Sequence, residues 1–146
     1  MKIEIKLDNS YQEPSVIILA DKMTDEVRSL VKKLSDDTPQ MLTGFRRERL
    51  EILDQQSIIR IYTASGKVYA STEEGEYTLR LRLYELEDRL DPGSFVRISN
   101  SEIINLQKVK GFDLRLSGTI CVSFSNGAVT YVSRRYVAKI KKILGI

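Results

Sequence analysis

The sequence contains no histidine, no tryptophan and a single cysteine, Cys121, among its 146 residues. Without histidine the chain lacks the most frequent general base and metal ligand, and it has no imidazole for a catalytic triad. One cysteine excludes an intrachain disulfide and a cysteine-rich zinc site, which fits a reducing compartment. We therefore predict no catalytic residue, no metal and no other cofactor.

Long apolar runs and phosphate-binding glycine motifs are also missing. No apolar stretch approaches the roughly 18 residues that cross a bilayer, and the first residues alternate in polarity, unlike the apolar core of a signal peptide. Neither the Walker nor the dinucleotide glycine pattern is present, so a nucleotide-driven enzyme is not indicated. We expect a cytoplasmic protein that is not an enzyme and has no small-molecule substrate.

Charge is distributed unevenly along the chain. Residues 97–146 contain nine lysines and arginines against two acids, a net charge of +7, whereas the first 96 residues carry −4. Clustered positive charge attracts a polyanion and releases its counterions. Charge alone is equally compatible with a solvated basic tail.

The first 39 residues are predicted to form a strand-strand-helix appendage. Polarity alternation indicates a strand at residues 2–7, and a short β-branched run indicates another at residues 15–20. Apolar spacing indicates an amphipathic helix at residues 24–36 with Thr24 as its N-cap. The polar segment before Gln40 contains Pro39 and is the predicted domain boundary. The second domain then covers residues 40–146.

The second domain is predicted to be mainly β, a β-rich α+β fold, because short strand patterns and turn signals dominate it. Residues 101–106 read as a tight turn or a single helical turn. Helices are predicted at residues 83–90 and 134–144. The predicted strands cover residues 41–45, 49–54, 58–64, 67–72, 75–81, 95–98, 109–116, 119–124 and 129–132.

Residues 95–106, FVRISNSEIINL, place a polar group of residues between apolar ones. An asparagine amide can bond the N6 and N7 edge of adenine, and arginine can bond O6 and N7 of guanine. Arg97, Ser101 and Lys139 have the chemistry to bind phosphate oxygens. Asn100 and Asn105 could instead cap turns through side-chain to backbone hydrogen bonds, and this alternative is stronger for Asn105.

A second basic segment lies at residues 132–144, VSRRYVAKIKKIL. Ser133 is placed to cap a helix whose first turn carries Arg134 and Arg135. Cations there oppose the helix dipole, so local stability does not favour them. A phosphate would meet backbone N–H groups, the dipole and two guanidinium groups at once.

Other reactive side chains have simpler interpretations. Paired acids such as Glu73 and Glu74 fit a solvated face, and Cys121 fits a semi-buried strand position. Tyr69, Tyr77 and Tyr131 fall at strand positions where aromatic rings usually pack, although they could stack on bases. Two alternative functions therefore stay open: a protein-interaction module with a basic face, and an RNA or single-strand binder.

The segment FVRISNSEIINL, preceded by YTLRLRLYELEDRL and followed by NGAVTYVSRRYVAKIKKIL, resembles the LytTR (LytR/AlgR-type) DNA-binding domain of bacterial response regulators. The resemblance covers about residues 41–146. It implies small antiparallel sheets with short helices, and loops that enter successive major grooves and bend the DNA. The implied function is a sequence-specific transcriptional regulator that binds double-stranded DNA.

The resemblance also implies roles for individual residues. Asn100 and Arg135 match base-contacting positions, and Lys67 is the plausible contact in the early hairpin, which lacks the family's frequent histidine. Where many members have His-Arg-Ser this chain has Ser-Asn-Ser, which implies a shift toward adenine or a relaxed preference. The predicted DNA-binding residues are Lys67, Arg97, Asn100, Ser101, Asn105, Arg134, Arg135 and Lys139.

A receiver domain with a phosphoacceptor aspartate is much longer than the segment before residue 40. The chain therefore resembles the short stand-alone LytTR regulators of Gram-positive bacteria, often encoded beside a small membrane protein, and phosphorylation is not the expected switch. Val27, Leu30, Val31 and Leu34 form an apolar helix face that must be buried. We accordingly expect the appendage to form a homodimer or to bind a small membrane-protein regulator.

Overall fold

The computed structural model describes residues 1–35 and 41–146. The chain divides into two compact units, Met1–Pro39 and Gln40–Ile146. Within the described part of the first unit, the regular element is helix α1 (Asp25–Ser35). Thr24 caps it as predicted, because its Oγ1 accepts a hydrogen bond from the Val27 N–H at 3.3 Å.

The two predicted strands of the appendage are wrong: residues 2–7 and 15–20 form no strand in this structure. The apolar side chains of the first segment, at Ile3, Ile5 and Leu7, are exposed. Alternating polarity gives a segment two faces, but a strand also needs a hydrogen-bonding neighbour, and a short pair of strands is marginal in water. Asp36, the predicted last residue of the helix, and the predicted boundary at Pro39 lie outside the described residues.

The second unit contains two antiparallel sheets. The strands are β1 (Leu42–Arg46), β2 (Arg49–Leu53), β3 (Ile58–Ala64), β4 (Lys67–Thr72), β5 (Gly75–Leu79), β6 (Phe95–Ser99), β7 (Glu102–Asn105), β8 (Val109–Asp113), β9 (Ile120–Phe124) and β10 (Val129–Val132). The first sheet has seven strands in the order β2-β1-β5-β4-β3-β7-β6, and the second has three in the order β10-β9-β8. Helix α2 (Leu83–Arg89) follows β5, and helix α3 (Arg134–Leu144) follows β10.

These elements confirm the predicted fold class and most of the predicted positions. The exception is residues 101–106, where the structure has strand β7 in place of the predicted turn. Strand β7 pairs with β6 on one edge and β3 on the other, and each of its two faces packs in a different hydrophobic cluster. Ile103 and Ile104 are therefore both buried, and the polarity alternation that marks a half-exposed strand is lost.

Two hydrophobic clusters hold the unit together. The first cluster lies between helix α2 and the seven-stranded sheet. It contains Leu83, Leu86 and Leu90 from α2 and its C-terminal end, and Ile103 from β7. The second cluster lies where the three-stranded sheet and α3 pack with β6 and β7, and it contains Ile104 from β7. Successive strand residues point to opposite faces, so β7 contributes to both clusters. Ile140, fully buried in the second cluster, fixes α3 beside β6.

Across residues 1–35 and 41–146, no helix has the length and apolarity needed to cross a membrane.

Candidate nucleic-acid interface

Three connecting segments meet at one end of the second unit. The Thr63 N–H at the end of β3 donates to the Ser101 carbonyl at 2.9 Å, and the Ser133 N–H before α3 donates to the Ile98 carbonyl at 2.9 Å. These backbone bonds join the β3–β4 hairpin, the β6–β7 turn and the start of α3. We call residues 64–67, 99–101 and 133–135 the three-loop surface.

The β3–β4 hairpin presents Lys67 to solvent. Ser65 and Gly66 both have positive φ, 52° and 75°, which fits the tight two-residue turn that matches the twist of paired strands. Ala64 and Lys67 close the hairpin as opposing residues. The Lys67 side chain is exposed and forms no ion pair with any residue of the described part of the chain. Its ammonium group is therefore available to an anion.

Arg97 holds the β6–β7 turn from inside. Its Nε donates to the Ser99 carbonyl at 2.7 Å, and its guanidinium also donates to the Asn100 carbonyl and pairs with Glu87 of α2. The side chain is only 16% exposed. Ser99 also stabilises the turn, since its Oγ accepts a hydrogen bond from the Ser101 N–H at 3.1 Å. The guanidinium is thus already bonded to three acceptors and its charge is balanced by a carboxylate.

Asn100 and Ser101 form the tip of this turn, and both are exposed. The Asn100 Oδ1 atom lies 3.2 Å from the hydroxyl of Tyr136 in the first turn of α3. Sequence reasoning missed Tyr136, whose ring packs against the second hydrophobic cluster. Its one available signal was its place beside Arg135 in the helix start.

The prediction that Asn105 contacts DNA is wrong. The residue is 1% exposed, its Oδ1 accepts from the Gln107 N–H at 2.9 Å, and its Nδ2 donates to the Ile58 carbonyl at 2.8 Å. These two bonds cap the short 3-10 turn Leu106–Lys108 and tie β7 to β3. The alternative reading, a turn-capping asparagine, is confirmed.

The start of α3 differs from the prediction in one respect. Ser133 occupies the N-cap position, but its side chain makes no capping hydrogen bond. Arg134, Arg135 and Lys139 are exposed and have no ion pair with a described residue, and the first turn contains no acid. Arg135 and Lys139 are four residues apart, so they share a side of the helix. Free N–H groups and unneutralised cations here favour an anion.

Ion pairing divides the basic residues of the C-terminal half into two groups. Arg97, Lys108 and Arg115 pair with Glu87, Glu73 and Asp113. Hydrogen bonds from the Arg115 side chain and backbone N–H lower the pKa of Asp113 to about 2, although this pair lies exposed at the surface. The cations of α3 and Lys67 lack such partners among residues 1–35 and 41–146. Unpaired positive charge is therefore available at the three-loop surface and along α3, and also at the exposed Lys110 of β8.

Glu102, directly after the turn, joins the two sheets. It lies 3.4 Å from Arg60 of β3 and accepts from the Thr130 hydroxyl of β10 at 2.9 Å. Burial raises the pKa of the Glu102 carboxyl, while Arg60 and Thr130 oppose the rise. We assign this carboxylate to fixing the turn relative to the second sheet.

The remaining candidates fit packing roles, with one exception. Tyr77 is buried, Tyr69 stacks on Tyr62 with ring centroids 5.6 Å apart, and Cys121 is half-buried as expected. Tyr131 differs from the packing prediction because it is 56% exposed. The described residues contain no group of three or more side chains able to hold a metal ion.

The LytTr DNA-binding domain family matches residues 48–145, which includes all three loops and α3. The chain belongs to this family. An uncharacterized HTH-type transcriptional regulator of Staphylococcus aureus strain NCTC 8325 / PS 47 is 34% identical over 147 residues, covering 100% of this chain and 99% of that protein. A counterpart in strain MRSA252 is 33% identical with the same coverage.

A solved structure agrees with the LytTr assignment. The LytTr DNA-binding domain of a Bacillus cereus protein described as a methyl-accepting/DNA response regulator superposes with a TM-score of 0.70 at 25% identity. The match covers 73% of this chain and 97% of that domain. The resemblance noted from the sequence is thus confirmed, together with the strand-rich fold.

Proposed function

We propose that this LytTr protein is a transcriptional regulator that binds double-stranded DNA sequence-specifically by inserting the three-loop surface into the major groove. The observation that carries the proposal is the convergence of exposed, unneutralised cations with an exposed asparagine at one end of the unit. Family membership and the names of the Staphylococcus aureus relatives support it. Because the bacterial chromosome is cytoplasmic, we place the protein there.

The exposed residues divide by chemistry into two roles. Asn100 and Arg135 are the proposed base readers, since an amide and a guanidinium can each make paired hydrogen bonds to a base edge. Four residues are the proposed phosphate ligands, which position the protein without reading sequence. These are Lys67, Ser101, Arg134 and Lys139.

Arg97 belongs to neither group in this proposal. Three of its five N–H donors already bond the carbonyls of Ser99 and Asn100 and the Glu87 carboxylate, and its side chain is only 16% exposed. We assign it to holding the turn that presents Asn100.

Selection of binding sites from a random duplex library tests the proposal. The wild type should enrich one defined motif. Arg135→Ala should lose roughly 1 to 3 kcal/mol of binding free energy and lose the base preference at one position of that motif. Lys142→Ala is the matched control, because it removes an exposed cation from the far end of α3. An unchanged motif with Arg135→Ala would remove this residue from the base readers.

The same selection, run in parallel on a single-stranded library, separates the alternative functions. Single-strand or RNA binding through tyrosines has little support, because Tyr77 is buried and Tyr69 is engaged with Tyr62, which leaves only Tyr131 of the three exposed. A protein-interaction module would bind DNA without enriching any motif. Enrichment of single strands over duplex, or no enrichment, would replace the proposed function.

The first unit is proposed to form a homodimer. Its apolar side chains at Ile5 and Leu7 are exposed along residues 1–24, and Leu34 is exposed on α1, so burial against a second copy would remove them from water. Leu34→Lys in the full chain should yield a monomer by sedimentation, whereas Lys33→Ala should not. A dimer that survives Leu34→Lys and Ile5→Lys would favour a membrane-protein regulator as the partner.

A further inference from the structure

We propose that Tyr136 is a positioning residue that sets which groups Asn100 presents to a base. The proposal rests on the proposed function, since it refines how Asn100 would read DNA. Tyr136 and Asn100 are 36 residues apart in sequence but lie 3.2 Å apart between the Tyr136 Oη and the Asn100 Oδ1. A hydroxyl can donate, whereas an amide oxygen can only accept, so Tyr136 is the donor.

The ring of Tyr136 is well placed to act as a fixed donor. It is half-buried and packs against the cluster that contains the fully buried Ile140. The backbone before it is tied to β6 by the bond from the Ser133 N–H to the Ile98 carbonyl at 2.9 Å. The hydroxyl therefore projects from a rigid part of the domain toward the turn.

Asn100 is held at two separate points. Arg97 bonds its main-chain carbonyl, and Tyr136 bonds its side-chain oxygen. Among the described residues nothing accepts a hydrogen bond from the Asn100 Nδ2 group, so its two N–H donors face solvent. The carboxamide is thus oriented with its oxygen toward α3 and its nitrogen outward before any DNA is bound.

This orientation predicts a particular base preference. Bidentate reading of adenine requires the amide both to accept from N6 and to donate to N7. An amide that presents its N–H donors instead suits an edge rich in acceptors, which is guanine, with O6 and N7. Tyr136 would accordingly turn the adenine preference that asparagine alone suggests toward guanine.

The test compares Tyr136→Phe with wild type on duplexes that vary at each base pair of the selected site. Phenylalanine keeps the packed ring and removes only the hydroxyl. Tyr84→Phe is the matched control, because Tyr84 is exposed on α2 and its hydroxyl makes no hydrogen bond with a described residue. Melting temperature is measured for each variant to monitor folding.

At the base pair relaxed by Asn100→Ala, Tyr136→Phe should reduce the preference for guanine over adenine by about fivefold or more. Preferences at the other base pairs should stay the same, and Tyr84→Phe should change none. In an Asn100→Ala background the hydroxyl should have no effect, because a residue acting through Asn100 loses its influence when that side chain is absent.

Four results would overturn the inference. Tyr136→Phe could weaken all sequences equally, which would indicate a structural role. It could change preference equally in the Asn100→Ala background, which would make Tyr136 itself a DNA contact. If Asn100→Ala relaxes one base pair and Tyr136→Phe relaxes none, only the inference fails, whereas an Asn100→Ala variant with an unchanged motif overturns the base-reading role of Asn100 as well.

Discussion

Arg97 and Arg135 lie in neighbouring segments at the same end of the domain, yet their surroundings differ. The Arg97 guanidinium is bonded to the Ser99 and Asn100 carbonyls and to Glu87, and its side chain is 16% exposed. Arg135 is exposed in the first turn of α3 with no ion pair to a described residue. One cation stabilises the protein, and the other destabilises it locally by opposing the helix dipole.

The difference separates charge from available charge. Net charge counts both arginines equally, but Arg97 is largely buried and already paired with a carboxylate, whereas Arg135 is exposed to an incoming anion. The β6–β7 turn is consequently a rigid frame that presents one asparagine, whereas the start of α3 is a site whose electrostatic balance is completed by a ligand.

The largest expected effect is a loss of stability when Asn105, at the end of β7, is replaced. Asn105→Ala should lower the free energy of unfolding by roughly 2 to 4 kcal/mol, because the Gln107 N–H and the Ile58 carbonyl would each lose a buried partner. Urea denaturation measures this change. Asn105→Asp keeps the acceptor for Gln107, but it removes the donor to the Ile58 carbonyl and adds a buried carboxylate. If Asn105→Ala is stable but binds DNA poorly, Asn105 contacts DNA as first predicted.

Arg97→Ala should destabilise the unbound protein by roughly 1 to 3 kcal/mol, since hydrogen bonds to charged groups contribute about that much. Glu87 would also be left without its partner. The matched control is Arg115→Ala, which removes an exposed arginine paired with Asp113 and should have little effect in urea. If Arg97→Ala leaves stability unchanged but weakens DNA binding uniformly, Arg97 is a phosphate ligand as first predicted.

Much of the second unit was predictable from the sequence because its strands and helices have distinct periodicities. Helix α3 and strands β3, β4 and β10 occur at the predicted residues. Strand β7 was missed for a physical reason: both of its faces are covered, so Ile103 and Ile104 gave no alternation. The strands predicted near Ile5 and Leu19 were wrong because neither alternating polarity nor a β-branched run supplies a pairing partner.

The candidate site was only partly predictable. Exposure of Asn100, Ser101 and Arg135 follows from local turn and helix signals, so their availability could be anticipated. Asn105 could not be assigned, because its bond to Ile58 joins strands 47 residues apart. The role of Tyr136 could not be predicted for the same reason, since its contact with Asn100 depends on how α3 packs against the sheet. Long-range hydrogen bonds decide which polar residues are free.

Lys139→Ala tests whether the charge along α3 acts without reading sequence. It should weaken binding to all duplexes equally and reduce the slope of log affinity against log salt by about 1, as expected when one phosphate contact is lost. Titrations of the selected site and a scrambled duplex over a salt series measure both quantities. A loss confined to the selected site would move Lys139 to the base readers.

The smallest expected effect is the most direct test of free charge. Arg135→Ala, without DNA and at low salt, should raise the free energy of unfolding by about 0.3 to 1 kcal/mol, because it removes a cation that opposes the helix dipole. Lys142→Ala removes a cation from the other end of α3, where the dipole favours it, and should change stability in the opposite direction. High salt should diminish both effects in urea denaturation. If Arg135→Ala instead destabilises the protein, the Arg135 guanidinium has a structural partner and is not free to bind DNA.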